Sequence, residues 1–211
     1  MKKIFLILFV CCLTAAASYG QCLNGSGIKI GFGLTNQSWK YNDPNFELEW
    51  ENNSGILAKV FRDFNLLSFL SLEGEVGYAQ KGIKDKIAIT SPSHPEGTGE
   101  FMNINNRLNY LSASLMGKLK YNLNLFTPYL IAGPEYNYLL SKKIEPGYEV
   151  IYDGFKSSAV GFTIGLGSEV KLLPINFLIE YRYSRDLTNN YESSNIEIKN
   201  YSHSFLIGIK I

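Results

Sequence analysis

The 211-residue chain is poor in the residues that build metal centres, disulfides and helical membrane spans. It has three cysteines, two histidines and seven prolines, and no apolar run near the roughly 20 residues that a transmembrane helix needs. His94 and His203 stand far apart, and no cysteine lies at ligand spacing from either, so neither a metal site nor a cofactor is expected. Charge of one sign is also missing. With 20 Lys+Arg against 19 Asp+Glu, the chain lacks the basic excess that holds a phosphate backbone by counterion release, and nucleic acid is not an expected partner. The low proline content and 45% hydrophobic residues exclude a disordered tail.

The one continuous apolar run is N-terminal. Lys2-Lys3, the run Ile4 to Leu13 and small residues up to Gly20 form the pattern of an export signal, so residues 1–20 are read as a signal peptide and 21–211 as one domain. Its removal takes two lysines, leaving 18 basic and 19 acidic residues. It also takes Cys11 and Cys12, so Cys22 is the only remaining thiol and no internal disulfide is possible. Cys22 lies where a lipidated cysteine would lie, but it follows Gln21 rather than a small residue, and an unlipidated chain is expected.

From Gly27 onward apolar residues recur at every second position, the strand period, in eight segments without an amphipathic helix. Ile28, Ile30, Phe32 and Leu34 oppose Lys29, Gly31, Gly33 and Thr35. Ile56, Ala58 and Val60 oppose Lys59. Leu70, Leu72, Val76 and Tyr78 oppose Ser71, Glu73, Glu75 and Gly77. Leu111, Leu115 and Leu119 oppose Ser112, Ser114 and Lys118. Leu130, Ala132, Tyr136 and Tyr138 oppose Ile131, Gly133, Glu135 and Asn137, with Pro134 as a residue unable to donate to a ladder. Three further segments set Glu169, then Glu180 and Arg182, then Lys210 opposite aliphatic and aromatic residues.

The connections alternate in length. Those near 63–66, 122–125 and 172–175 are tight, whereas those over 36–54, 84–106, 141–154 and 185–201 are long and polar. An up-and-down meander places every short turn at one end and every long loop at the other, the arrangement of outer-membrane barrels with short periplasmic turns and long external loops. A soluble lipocalin-like barrel would show the same alternation with its apolar face inward. The glycines and opposed charges of the polar face suit the narrow interior of eight strands, and the aliphatic face with aromatics toward its ends suits lipid. The expected fold is therefore an all-β, eight-stranded antiparallel transmembrane β-barrel, monomeric and facing outer-membrane lipid, with an extracellular or secretion-apparatus partner left open.

The stretches SLEGEVGYAQKG (71–82), LSASLMGKLKYN (111–122), PYLIAGPEYNYLL (128–140), EYRYSRDLTN (180–189) and FLIGIKI (205–211) resemble the outer-membrane barrels known as PorT-type or porin-family proteins, in the small OmpA/OmpX-like size class. The resemblance runs from Gly27 to the end. It implies insertion by the barrel assembly machinery with the last strand as signal, and for relatives of PorT itself a link to a secretion apparatus. Ile211 stands where a terminal aromatic is usual, which implies weaker insertion. The resemblance supplies no catalytic residue.

Two groups of residues are candidate sites. Lys29, Lys59, Glu73, Glu75, Lys118, Glu135, Glu169, Glu180, Arg182 and Lys210 face inward and must be paired, because an isolated buried charge is costly. They form either a filling of salt bridges or the constriction of a low-conductance path. The loop aromatics Trp39, Tyr41, Phe46, Trp50, Tyr148 and Tyr152 can anchor a partner, sit at the membrane interface or pack the loops together. Enzymatic activity is not expected: in Ser202-His203-Ser204 neighbouring strand residues point to opposite faces and cannot form a dyad. The Gly31/Gly33 and Gly165/Gly167 pairs lack the helix that a phosphate cradle requires. The expected role is structural or recognitional, through the external loops.

Overall fold

The computed structural model describes residues 25–41, 50–89, 95, 98–172, 175–193 and 195–211. The export signal, Cys22, Phe46 and His94 lie outside the described residues. Eight long strands form the wall: β1 (Ser26–Tyr41), β2 (Glu51–Asn65), β3 (Leu70–Ala88), β4 (Phe101–Lys120), β5 (Phe126–Lys143), β6 (Ser158–Leu172), β7 (Ile175–Asp186) and β9 (Ile196–Lys210). A two-residue strand, β8 (Tyr191–Glu192), pairs with the start of β9. Each long strand pairs antiparallel with its sequence neighbours, and β1 pairs with β9 from Gly27↔Lys210 to Tyr41↔Ile196, closing the sheet on itself. Closure leaves no edge with unsatisfied backbone groups, which is the condition for a sheet to stand in hydrocarbon. At the short-turn end, Gly25 N–H donates to Ile211 O (2.7 Å) and Ile211 N–H to Ser26 O (2.9 Å), so the two ends of the sheet meet there.

The alternation read from the sequence sets the two faces. Ile30, Ile56, Leu130, Ile179 and Ile207 are each more than half exposed on the outside, while Lys29, Glu73 and Lys118 are at most 1% exposed inside. In water so large an apolar surface would be untenable; against lipid it is the required face. Along β4 it runs from Tyr121 just past its end to Leu111. Ten steps at ~3.4 Å, tilted ~40°, give a band of roughly 26 Å, close to the apolar height of such barrels. The narrow interior explains some glycines: a Cβ on Gly77 would lie 2.1 Å from Ala58 O, and one on Gly133 2.1 Å from Leu115 O. Pro134 sits inside β5, paired with Phe162 of β6, and the β4–β5 ladder is interrupted beside it between Ser114↔Glu135 and Gly117↔Ala132.

The boundaries differ from the sequence reading in one consistent way: the strands run on into what were expected to be long loops. β1 and β2 leave only 42–50 between them, and β3 and β4 only 89–100, so Trp39 and Tyr41 are strand residues. These extensions stand beyond the apolar band at the long-loop end. The expectation of no helix is corrected by one turn, α1 (Glu149–Asp153), in the connection from β5 to β6. Among the described residues no helix is long and apolar enough to cross a membrane.

Candidate functional site

All ten inward charges expected from the sequence meet in one ion-pair network, to which every wall strand contributes. Arg182 (β7) is its centre. Its Nη1 and Nη2 donate to Glu75 Oε2 and Oε1 at 2.7 Å each, and its Nε donates to Glu180 at 2.8 Å. Lys29 (β1) reaches Glu73 at 2.5 Å, Glu180 at 2.8 Å and Glu75 at 2.9 Å. Toward the short-turn end, Lys118 (β4) joins Glu73 at 3.1 Å, Glu169 at 3.0 Å and Asp63 at 3.4 Å, and Lys210 (β9) bonds to both Asp63 and Glu169. Toward the long-loop end, Lys59 (β2) bridges Glu75 and Glu135, and Lys81 (β3) bridges Glu135 and Asp186.

The bidentate fork at Arg182 fixes orientation as well as charge. Aromatic faces line the lower half: Lys118 Nζ lies 4.0 Å from the ring centre of Tyr129, and Lys29 Nζ 4.4 Å from that of Phe61. Tyr129 donates its hydroxyl to Glu180 at 2.6 Å and packs with Phe61, Met116, Ile131 and Leu178 in an apolar layer inside the barrel.

Three members of the network were not expected: Asp63, Lys81 and Asp186. Asp63 and Asp186 lie at strand ends that were assigned to a turn and a loop, and Lys81 lies just past the expected end of its strand at Ala79. The signal was present, since Asp63 continues the inward series Lys59, Phe61; Lys81 continues Glu73, Glu75, Gly77, Ala79; and Asp186 continues Glu180, Arg182, Ser184. Strand parity carried two residues further would have found all three.

Above the ions lies an amide layer. Asn200 Nδ2 donates to Asp186 (2.9 Å) and to Tyr110 Oη (3.3 Å), and Gln37 Nε2 donates to Asn200 (2.9 Å). Gln37 Oε1 in turn accepts from Trp39 Nε1 (3.1 Å) and the Tyr152 hydroxyl (2.8 Å). Over this layer sits an aromatic cap, in which Trp39, Trp50, Ile83, Ile104, Leu108, Tyr110, Tyr152, Phe155 and Ile198 form a buried core. Trp39 and Trp50 pack with ring centres 5.0 Å apart, Tyr152 and Phe155 stack at 4.5 Å, and Trp50 meets Tyr148 edge-on at 6.0 Å. Burial pushes the Tyr152 hydroxyl above the usual tyrosine range.

Of the loop aromatics considered for recognition, Trp39, Trp50 and Tyr152 are thus buried in this cap, and Tyr41 and Tyr148 pack half-buried against it. These five face the core because α1 and the extended strands fold over the barrel mouth and give the rings a water-free surface to cover. His203 lies on the outer face, its Nδ1 2.7 Å from the Tyr181 hydroxyl, while Ser202 and Ser204 are buried on the inner face.

Among the described residues the interior is thus occupied in layers: apolar layer, ions, amides, cap. Where Lys59, Lys81, Glu135, Arg182, Ser184 and Ser202 meet, an internal space of about 10 Å³ remains, on the scale of one water. A closed eight-stranded sheet with a charged interior and a lipid-facing aliphatic exterior defines the class of integral outer-membrane β-barrels. The chain belongs to the outer membrane protein beta-barrel domain family, whose profile matches residues 4–206. No curated protein matches it. Among solved structures it is similar to Neisserial surface protein A (13% identity, 89% of this chain and 98% of that one, TM-score 0.48). It is also similar to the attachment invasion locus protein Ail of Yersinia pestis (14%, 88% and 99%, TM-score 0.40) and to the outer membrane protease OmpT of Escherichia coli (8%, 89% and 96%, TM-score 0.46). The protein resides in the outer membrane.

Proposed function

We propose that this barrel is a sealed scaffold, with no enzymatic step, whose role is structural or recognitional and is carried by the surface it presents outside the cell. One observation carries the reading: among the described residues the ten inward charges are tied into one network, with Lys29, Glu73, Glu75, Lys118, Glu180 and Arg182 at most 3% exposed, and an aromatic cap packs above them, whereas the conducting alternative needs a continuous water path. Recognition then falls to what stands outside the cap. Past the end of β3 and at the start of β4, Ile89, Phe101 and Met102 are exposed, and Val150 of α1 is 85% exposed. Apolar groups of this kind on a rigid stem suit contact with a partner protein, and a component of a secretion apparatus fits that description as well as an extracellular one.

The test is single-channel recording of the refolded chain in a planar bilayer, with folding confirmed by a heat-sensitive shift in gel mobility. Folded, silent barrels are the expected result. Reproducible current steps that change when Glu75 and Arg182 are replaced would overturn the reading in favour of a narrow solute or ion path.

A further inference from the structure

The outer faces of β3, β4 and β5 change character abruptly at the upper edge of the apolar band. Below the edge lie Val76, Tyr78, Leu111, Leu115, Tyr136 and Tyr138. At the edge runs a polar row, in which the Tyr78 hydroxyl (2.6 Å) and Gln80 Nε2 (3.0 Å) both donate to Asn109 Oδ1, and Asn109 Nδ2 donates to Ser141 Oγ (2.9 Å). Above this row four outward residues are cations, set among Asn103 and Asn105: Arg107 on β4 directly opposite Lys143 on β5, then Lys84 and Lys86 on β3. Arg107 is four residues beyond Leu111, about 10 Å up the tilted strand, the depth of the headgroup region of a bilayer.

Like charges facing each other across a ladder destabilise it unless an anion lies between them. Elsewhere facing like charges are bridged: Lys29 and Lys59 share Glu75, and Asp63 and Glu73 share Lys118, while on the far wall Lys40 of β1 stands opposite Glu197 of β9. On the β3–β5 face Glu51 stands opposite Lys84, Asp85 Oδ1 accepts from the Lys86 backbone N–H at 2.7 Å, and none of the described ion pairs involves Lys84, Lys86, Arg107 or Lys143. One donor of Arg107 is fixed, its Nε to Asn105 Oδ1 at 3.1 Å, which holds the guanidinium on the outer face.

We infer that this face binds the phosphate groups of an outer-leaflet glycolipid. Arg107 and Lys143 engage a phosphate at headgroup depth, Lys84 and Lys86 engage anionic groups of the sugar region above it, and the acyl chains lie along Tyr78, Leu111 and Tyr138. The charge, the depth and the adjoining apolar wall together select a membrane-embedded anion over a soluble one.

The experiment uses the full barrel in nanodiscs, with retained lipid counted by native mass spectrometry. The probes are diphosphorylated lipid A, the same lipid after phosphatase treatment, and soluble glucosamine phosphate as competitor. The wild type is expected to prefer the phosphorylated lipid by about tenfold or more, given that a surface cation contributes roughly fivefold to anionic-lipid binding. The double variant R107Q/K143Q is expected to lose most of that preference, and K40Q/K199Q on the opposite wall to keep it. Removing facing like charges relieves the ladder, so R107Q/K143Q is expected to fold, as the gel shift will show. Equal retention of both lipids by the wild type, equal loss in the two variants, or displacement by soluble glucosamine phosphate at matched concentration would each overturn the inference.

Discussion

Replacing Arg182 by leucine tests whether the lumen is one coupled network. The substitution removes three bonds of 2.7–2.8 Å to Glu75 and Glu180 and leaves those carboxylates with Lys29, plus Lys59 on Glu75. Breaking a buried pair from one side typically costs about 3–5 kcal/mol, because the remaining charge stays buried and uncompensated. The assay is equilibrium unfolding by urea in lipid vesicles, followed by the fluorescence of Trp39 and Trp50, whose burial in the cap makes them reporters of the folded state. A second substitution, Glu75→Gln, removes the charge that Arg182 neutralised. In the double variant the loss is expected to fall short of the sum of the single losses by about 0.5–3 kcal/mol, the usual size of direct coupling. Arg185→Leu, exposed at the end of β7, serves as control and is expected to change stability by no more than about 0.5 kcal/mol. If R182L were as mild as the control, or if the two interior changes simply added, the ion pairs would be independent and the coupled network would be refuted.

Further outcomes are expected. Gly77→Val places its Cβ 2.1 Å from Ala58 O and is expected to abolish refolding, whereas Gly74→Val, with nothing within 4 Å of its Cβ, is expected to refold normally by gel shift. Ile30→Lys puts a charge on the lipid face and is expected to destabilise the barrel by about 2–4 kcal/mol if it lies near the bilayer midplane, as urea titration will measure. Trp39→Ala removes a ring from the cap and is expected to cost about 3–5 kcal/mol and to increase proteolysis of the connections around 42–50 and 144–157.

Most of the fold was legible in the sequence because the membrane imposes one rule on every strand: apolar outward, small or charged inward. The rule fails where the membrane ends, and β4 shows how. Up to Leu111 its outward residues are apolar and its inward ones are Ser112, Ser114 and Lys118. Beyond that point the backbone parity is unchanged, but Asn103, Asn105, Arg107 and Asn109 face out while Ile104, Leu108 and Tyr110 face in. Water now lies outside and a packed cap inside, so the polarity of the faces inverts within a continuous strand. Read as a pattern, Tyr110-Leu111 breaks the alternation and resembles the start of a loop. The strand extensions that carry the cap were missed for that reason, so the sequence left open whether Trp39, Trp50 and Tyr152 pack together, as they do, or face a partner. The short helix α1 carries too few residues to show a helical period, and its Tyr152 is held by contacts with distant strands that no local pattern contains.

The ion network also bears on how the barrel closes. Strands β1 to β4 bring four of its cations, Lys29, Lys59, Lys81 and Lys118, and three of its acids, Asp63, Glu73 and Glu75, whereas β5 to β9 bring Arg182 and Lys210 with Glu135, Glu169, Glu180 and Asp186. The N-terminal half is thus net positive and the C-terminal half net negative, and neither can neutralise itself. A nascent sheet stalled halfway exposes an uncompensated interior and attracts the complementary strands, so the mutual attraction of the two halves favours the one pairing, β1 with β9, that ends the assembly.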